Sequence, residues 1–257
     1  MPTVLITGAS SGIGKAFTEL FAKQQYRIIL ASRDEGKLNQ LAAEMQQQYG
    51  TQTRIVAVDL AQQDGAKLLY ERLQGTRIDI LINNAGSGSF GYLHELDARS
   101  EQQMLQLNVQ SLSQLMMLIL PDMVRRGSGR ILNVGSTTSF YPCPLSANYS
   151  ASKAFVLSLT EAVARELDGT GVSITALCPG GTGTAFFQAA QMEGLKVADP
   201  KALMSPDKVA QIGYKALMRG QVVVVPGMQN WLLTQAPRLF PRRFVTRITR
   251  SVLERKR

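Results

Sequence analysis

The chain has 257 residues, 45% of them apolar, enough to bury one sizeable core in a single domain. Lys and Arg number 28 against 19 Asp and Glu, for a net charge of +9, but eight basic residues and one acid fall between Arg238 and Arg257, so the rest carries only +2. A basic tail on a near-neutral body argues against nucleic acid as a partner. Two cysteines, Cys143 and Cys178, provide no disulfide framework and read as small packed side chains of a reducing compartment. The first apolar run, Val4 to Ile6, meets glycine at once, and no stretch approaches the ~20 residues that span a bilayer, so a cytoplasmic protein is expected.

Short β-branched runs alternate with longer amphipathic segments along the chain. Residues 3–7, 27–32, 53–58, 78–83, 129–136, 172–178 and 222–225 read as strands, most of them continuously apolar, as parallel strands covered on both faces must be. Between them, Ile13, Phe17, Leu20 and Phe21 mark one face of a helix, and residues 34–48, 61–74, 100–125 and 150–168 also read as helices. The alternation predicts an α/β fold: a doubly wound, parallel, seven-stranded sheet with helices on both faces, in one domain. Residues 181–204 lack a strong period; Ser205 then caps a helix that opens with Pro206. The chain ends in a basic amphipathic helix whose apolar stripe is Phe244, Ile248 and Val252, with Arg243, Arg247, Arg250 and Arg257 beside it. Such a helix can pack on its own subunit, pack on a second one, or lie on an anionic lipid surface. Residues 1–227 are expected to form the one folded domain, with a lid at about 184–206, and 228–257 a basic amphipathic C-terminal extension.

The stretch TGASSGIG, residues 7–14, joins the first strand to an amphipathic helix. A tight glycine turn there lets backbone N–H groups approach a pyrophosphate at a helix N-terminus, and Ser10 and Ser11 can add hydroxyl contacts. The second strand ends in Ala31-Ser32-Arg33-Asp34. Ser32 stands where an NAD site offers a carboxylate to the ribose, and the Arg33 guanidinium can pair with a 2′-phosphate, which points to NADP(H) in preference to NAD(H). Asp34 suits the start of the next helix.

These features, with Val58-Asp59-Leu60, NNAG at 83–86, Asn108 in LNV, Ser136 in NVGS, YSASK at 149–153 and CPGGTGT at 178–184, resemble the short-chain dehydrogenase/reductase superfamily over residues 1 to about 225. The resemblance implies a Rossmann-type fold and an NADP(H)-dependent oxidoreductase that interconverts a carbonyl and a secondary alcohol. It implies a cofactor site of Gly8, Ser10, Ser11, Gly12, Ile13, Gly14, Arg33, Asp59, Leu60, Asn84, Ala85, Gly86, Tyr149, Lys153, Pro179, Gly180, Thr182 and Thr184. Asn108, Ser136, Tyr149 and Lys153 would be the catalytic tetrad, and Ser136, Tyr149, Tyr141 and Phe186 would meet the substrate. A homodimer or homotetramer, formed through the helices at 100–125 and 150–168, is implied as well.

The tetrad has its own chemical reading. Tyr149 and Lys153 stand one helical turn apart, so the ammonium is expected to lower the phenol's pKa from its ordinary ~10 and ready it for proton exchange. Ser136 would hydrogen-bond the carbonyl oxygen, and Asn108 would anchor a proton-relay water. Phe140, Tyr141, Pro142, Leu145, Phe186, Phe187, Leu195 and Met204 could build an apolar wall for a lipophilic ketone or ketoacyl substrate, or could simply pack a lid. His94, the single histidine, has no cluster of donors near it in sequence, so no metal is expected. Two other classes of function stay open: a regulator or scaffold that binds NADP(H) without turnover, and a membrane-surface protein acting through its tail.

Overall fold

The computed structural model describes residues 1–190, 192 and 203–253. Seven parallel strands, β1 (Thr3–Thr7), β2 (Arg27–Ser32), β3 (Thr53–Ala57), β4 (Ile80–Asn83), β5 (Gly129–Val134), β6 (Val172–Leu177) and β7 (Val223–Val224), lie in the order β3-β2-β1-β4-β5-β6-β7. This is the expected doubly wound sheet. The order reverses between β1 and β4, and at such a switch point the carboxyl ends of the strands open a crevice for a ligand.

Strand residues alternate between two cores. Leu5, Leu81, Ile131 and Ile174 pack with Leu69, Leu115, Ile119, Val156 and Val163. These come from α3 (Gly65–Arg72), α5 (Leu112–Arg125) and α6 (Ala147–Glu166). On the opposite face Val4, Ile6, Ile28, Leu30 and Ile82 pack with Phe17, Phe21, Leu38, Val209 and Leu217. Those belong to α1 (Gly12–Lys23), α2 (Glu35–Tyr49) and α8 (Pro206–Met218). Both faces of the sheet are thus covered, which is why its strands are apolar without alternation.

Caps fix the helix starts. The Asp34 carboxylate accepts from Lys37 N at 3.0 Å, and Ser205 Oγ accepts from Lys208 N at 3.3 Å. Two helices differ from their expected spans. The segment expected at 61–74 turns helical only at Gly65, because the Asp59 carboxylate first accepts from Ala61 N at 2.9 Å and Gln62 Nε2 at 3.1 Å and holds a turn. The segment expected at 100–125 is three pieces: α4 (Ala98–Leu105), a π-helical turn (Gln106–Ser111) and α5. The lid expected at 184–206 contains α7 (Phe186–Ala189), and most of the rest of it lies outside the described residues. The tail forms two helices, α9 (Met228–Leu239) and α10 (Arg242–Leu253). No described helix is long and apolar enough to cross a membrane.

Candidate active site

The glycine turn at the end of β1 is held by the loop after β4. Asn84 Nδ2 donates to the carbonyls of Thr7 at 2.9 Å and Gly8 at 3.2 Å, while Thr7 Oγ1 accepts from the N–H groups of Asn84 and Ala85, both at 3.0 Å. Gly8 has φ +62°, and a Cβ on Gly14 would sit 2.1 Å from the Gly8 carbonyl, so only glycine lets α1 start this close to the turn. Ser11 caps α1 without turning its hydroxyl to the helix. Arg33 is exposed just past β2, next to Ser32, whose hydroxyl is buried with no hydrogen-bond partner among the described residues. An orphaned buried hydroxyl, a glycine cradle and an exposed guanidinium at the carboxyl ends of β1 and β2 fit a nicotinamide dinucleotide. The carboxylate of Asp59 is spent on its own turn, and Leu60 is buried beneath it. Ile13 is partly buried against the core.

The 179–184 loop closes over this edge. A Cβ on Gly12 would lie 2.9 Å from Thr184 Cγ2, and the Pro179 carbonyl accepts from Thr137 N at 2.9 Å. Thr182 bridges to Met204, and its hydroxyl donates to the Gly180 carbonyl at 3.1 Å. Gly180 rests against the side chain of Asn230 in α9, where an added Cβ would come within 2.4 Å. The tail segment therefore forms part of the wall behind this loop, a contact invisible in the sequence because 50 residues separate its two sides.

The four residues of the expected tetrad converge from three directions. Asn108 sits in the π-helical turn, a distortion that α-helices often carry at functional positions. Its amide is fully engaged: Oδ1 accepts from Ser87 N at 3.0 Å, and Nδ2 donates to Ser87 O at 2.9 Å and to Ser152 Oγ at 3.1 Å. The side chain thus clamps the 84–87 loop to α6. Lys153 is 5% exposed, and its ammonium donates to the Val134 carbonyl at 2.9 Å. Gly86 lies between these two side chains, its would-be Cβ 3.1 Å from Asn108 Oδ1 and 3.4 Å from Lys153 Nζ. Ser136 follows β5 and accepts from Thr138 N at 3.2 Å and Thr138 Oγ1 at 3.0 Å.

The expected lowering of the Tyr149 pKa does not hold. The side chain keeps a partly exposed surface, but protein crowds its hydroxyl, and this desolvation pushes the phenol up to about 12, against a smaller downward pull from a hydrogen bond with Ser136. The Lys153 ammonium lies 5.9 Å from the centre of the Tyr149 ring, committed to a backbone carbonyl, and burial lowers its own pKa to about 8. Desolvation, not the lysine charge, dominates both groups. Cys143 and Cys178 are buried thiols, raised by the same cause to about 11 and about 12, which suits packing and not nucleophilic work.

Phe186 lies against Tyr149. Its ring lies 5.4 Å from that of Tyr149, and its tip would be 2.4 Å from a Cβ on Gly88. It belongs to an apolar cluster of Cys143, Ala190, Met192 and Leu253, edged by Phe90, Leu145, Phe186 and Phe187. The expected wall is thus only partly right. Leu145, Phe186 and Phe187 belong to it, but Phe140 packs with Leu157 and Cys178, Met204 packs toward the sheet, and Pro142 is exposed. Leu195 lies outside the described residues. The Tyr141 hydroxyl bonds Thr137, and burial raises its pKa. Phe90, Met192 and Leu253 are wall residues that the sequence did not single out. The expected stripe of α10 also divides differently: Phe244, Ile248 and Val252 are each about half exposed, at 48%, 47% and 47%, and the helix packs through Val245 and Leu253. His94 is exposed, 3.6 Å from a Glu95 carboxylate oxygen, and among the described residues no three His, Cys, Asp or Glu side chains form a metal-binding group.

The family profile described as short chain dehydrogenase matches residues 2–193. A very-long-chain 3-oxoacyl-CoA reductase of Anas platyrhynchos is 35% identical over 185 residues, 68% of this chain and 58% of the relative, so the chain spans less than two thirds of that protein's length. A 7beta-hydroxysteroid dehydrogenase of Collinsella aerofaciens is 30% identical over 88% of this chain and 86% of its own. Among solved structures, a short-chain dehydrogenase from Sphingobium yanoikuyae in complex with NADPH superposes with a TM-score of 0.84, at 32% identity over 93% of this chain and 94% of that one. With the glycine turn, the switch-point crevice and a tyrosine bonded to Ser136 one helical turn from Lys153, the match over most of its length decides the matter: the chain belongs to the short-chain dehydrogenase/reductase family, oxidoreductases that act on CH–OH groups with a nicotinamide cofactor.

Proposed function

We propose that the protein is an NADP(H)-dependent reductase of lipophilic ketones, with ketoacyl compounds foremost, and that Tyr149 is its acid. One observation carries the reading: the Tyr149 hydroxyl, bonded to Ser136, sits under Phe186 and an apolar cluster, so a bulky carbonyl compound would meet a proton donor in a water-poor place. Burial that pushes this phenol up to about 12 keeps it protonated at neutral pH, as a donor must be in the reducing direction. Ser136 Oγ orients the carbonyl oxygen beside that proton. Lys153, with a pKa near 8, is largely charged at pH 7 and ties α6 to the Val134 carbonyl at the end of β5, while Asn108 holds the 84–87 loop against α6. A nicotinamide held at the β1–β4 crevice would supply the hydride. Gly8, Gly12, Gly14 and the 179–184 loop would hold that cofactor, and Arg33 would take a 2′-phosphate. The NADPH in the Sphingobium yanoikuyae structure supports that choice, and the names of the two relatives, one a 3-oxoacyl-CoA and the other a steroid enzyme, support a large apolar substrate.

NADPH consumption across ketones graded from short and polar to long-chain ketoacyl and steroidal, with NADH in parallel, tests this. Turnover should rise with apolar size and prefer NADPH about tenfold, in line with one charge-assisted phosphate contact. A preference for NADH would remove the role given to Arg33. In Tyr149→Phe, turnover should fall about 10³-fold with NADPH affinity nearly unchanged; retained turnover would sink Tyr149 as the acid.

A further inference from the structure

α10 places its arginines on one flank. At 100° per residue, Arg242, Arg243, Arg247 and Arg250 share a side of the helix that turns away from Phe244, Ile248 and Val252. That side faces the loop before α6, and the two border an open cleft of about 570 Å³ lined by the four arginines and Thr246 with Pro142 and Pro144. The size lies within the range of small-molecule sites. No ion pair joins Arg242, Arg243 or Arg247 to a carboxylate among the described residues. Like charges repel when set together on one flank, so Arg242, Arg243 and Arg247, without a carboxylate partner among the described residues, are suited to a multiply charged anion.

The loop has two sides. Pro142 and Pro144 line the basic cleft, whereas Cys143 and Leu145 join the apolar cluster that holds Phe186 beside Tyr149. Leu253 of α10 closes the same cluster. Leu145 takes φ +64°, a left-handed conformation that leucine rarely adopts, and its carbonyl accepts from Gly91 N at 2.8 Å. A molecule that is apolar at its carbonyl end and polyanionic at the other could follow this loop from one side to the other.

We propose that the cleft between α10 and the 142–145 loop binds the phosphate-bearing handle of an acyl thioester of the coenzyme A type, whose ketoacyl chain reaches Tyr149 along the apolar side of that loop. The inference rests on the ketoacyl reading above. A lipid surface is the competing use of the same arginines, but they converge on the loop beside the active site and lie on a different flank from the exposed stripe.

The test compares the full-length protein with Arg243→Glu/Arg247→Glu, two exposed positions whose change should leave the melting temperature unaltered. Substrates are 3-oxododecanoyl-CoA and the neutral N-acetylcysteamine thioester of the same acyl chain. The variant should raise KM for the CoA thioester at least about tenfold with kcat nearly unchanged, and move the neutral thioester less than about twofold. Coenzyme A itself, titrated calorimetrically into NADP⁺-saturated protein, should bind the variant about tenfold more weakly, and binding to wild type should weaken with salt. Equal losses on both thioesters, or no loss on either, would overturn the proposal. So would unchanged kinetics accompanied by lost sedimentation with 4:1 phosphatidylcholine/phosphatidylserine vesicles, which would assign the arginines to a lipid surface. If wild type reduced neither thioester yet bound coenzyme A through these arginines, the cleft would stand as an anion site and the ketoacyl reading would fail.

Discussion

The glycine turn at 7–14 and the helical return at 228–253 both border the crevice, and they are built in opposite ways. The turn is backbone against backbone: Gly14 has no room for one added carbon, and the turn is pinned by the amide of Asn84 and the hydroxyl of Thr7. The return reaches the site through side chains, Asn230 against Gly180 and Leu253 against the Phe186 cluster, while much of its surface stays open. Backbone-built parts tolerate almost no change. Side-chain contacts can be trimmed by degrees, and that freedom is what allows such a segment to set specificity in a fold whose cofactor end is fixed.

The largest effect should follow from breaking the rigid region. In Gly14→Ala the new Cβ would press on the Gly8 carbonyl at 2.1 Å, with no flexible side chain to yield. The turn must shift, and NADPH affinity should fall about 100-fold or more, with stability lowered by about 1–3 kcal/mol as for other overpacked sites. Calorimetric titration with NADPH and a denaturant melt check both. Affinity within threefold of wild type would show that the turn is softer than its contacts imply.

The same contrast governs what could be read from the sequence. Parallel strands buried on both faces must be apolar throughout, glycine spacing marks a backbone that has to come close, and Asp34 and Ser205 announce their helices by capping them. Those signals are local, and they located all seven strands and the turn. The one-turn spacing of Tyr149 and Lys153 was legible too, because both lie on one helix, α6. What escaped needed distance. The π-helical turn at Gln106–Ser111 has no periodic signature within an apolar run, yet it sets the Asn108 amide on Ser87 and Ser152. The buried chain Asn83–Asn133–Thr160, with bonds of 3.0 and 2.9 Å across two strands and a helix, was likewise hidden. The sign of the Tyr149 shift was missed because helical spacing reports a neighbour but not how much water has been removed around it.

That removal of water sets a second expectation, of intermediate size. Lys153 has a pKa near 8 in the fold and an ordinary value of 10.5 when unfolded. Below pH 8 it is charged in both states and its burial cost is fully present. Between about pH 8 and 10.5 the unfolded chain holds more protons, so this group makes the fold more stable as pH rises, by up to about 3 kcal/mol in all. Tyr149, raised to about 12, and Cys143 and Cys178, raised to about 11 and about 12, act the other way above their unfolded values near 10 and 9, since the fold then holds the extra protons. The difference between wild type and Lys153→Met isolates the lysine: without cofactor, the variant's stability relative to wild type should decline from pH 7.5 to 10 in urea melts. A pH-independent difference would mean that water reaches the ammonium.

The smallest effect tests the adjustable side of the comparison. Asn230 Nδ2 donates to the Pro226 carbonyl at 2.7 Å, which fixes the side chain where it backs Gly180. Asn230→Ala removes that bond and the wall together, but a partly exposed hydrogen bond of this kind contributes only about 1 kcal/mol, so the fold should survive. The 179–184 loop would lose its backing, and KM for the cofactor should rise about three- to fivefold with kcat little changed. Asn230→Asp keeps the shape while deleting the donor, so it separates the two causes. If the wall matters, the aspartate should behave like wild type in KM and the alanine should not. If both variants shift KM alike, the bond to Pro226 is what holds the tail against the loop, and α9 positions the cofactor end of the site through its own first turn.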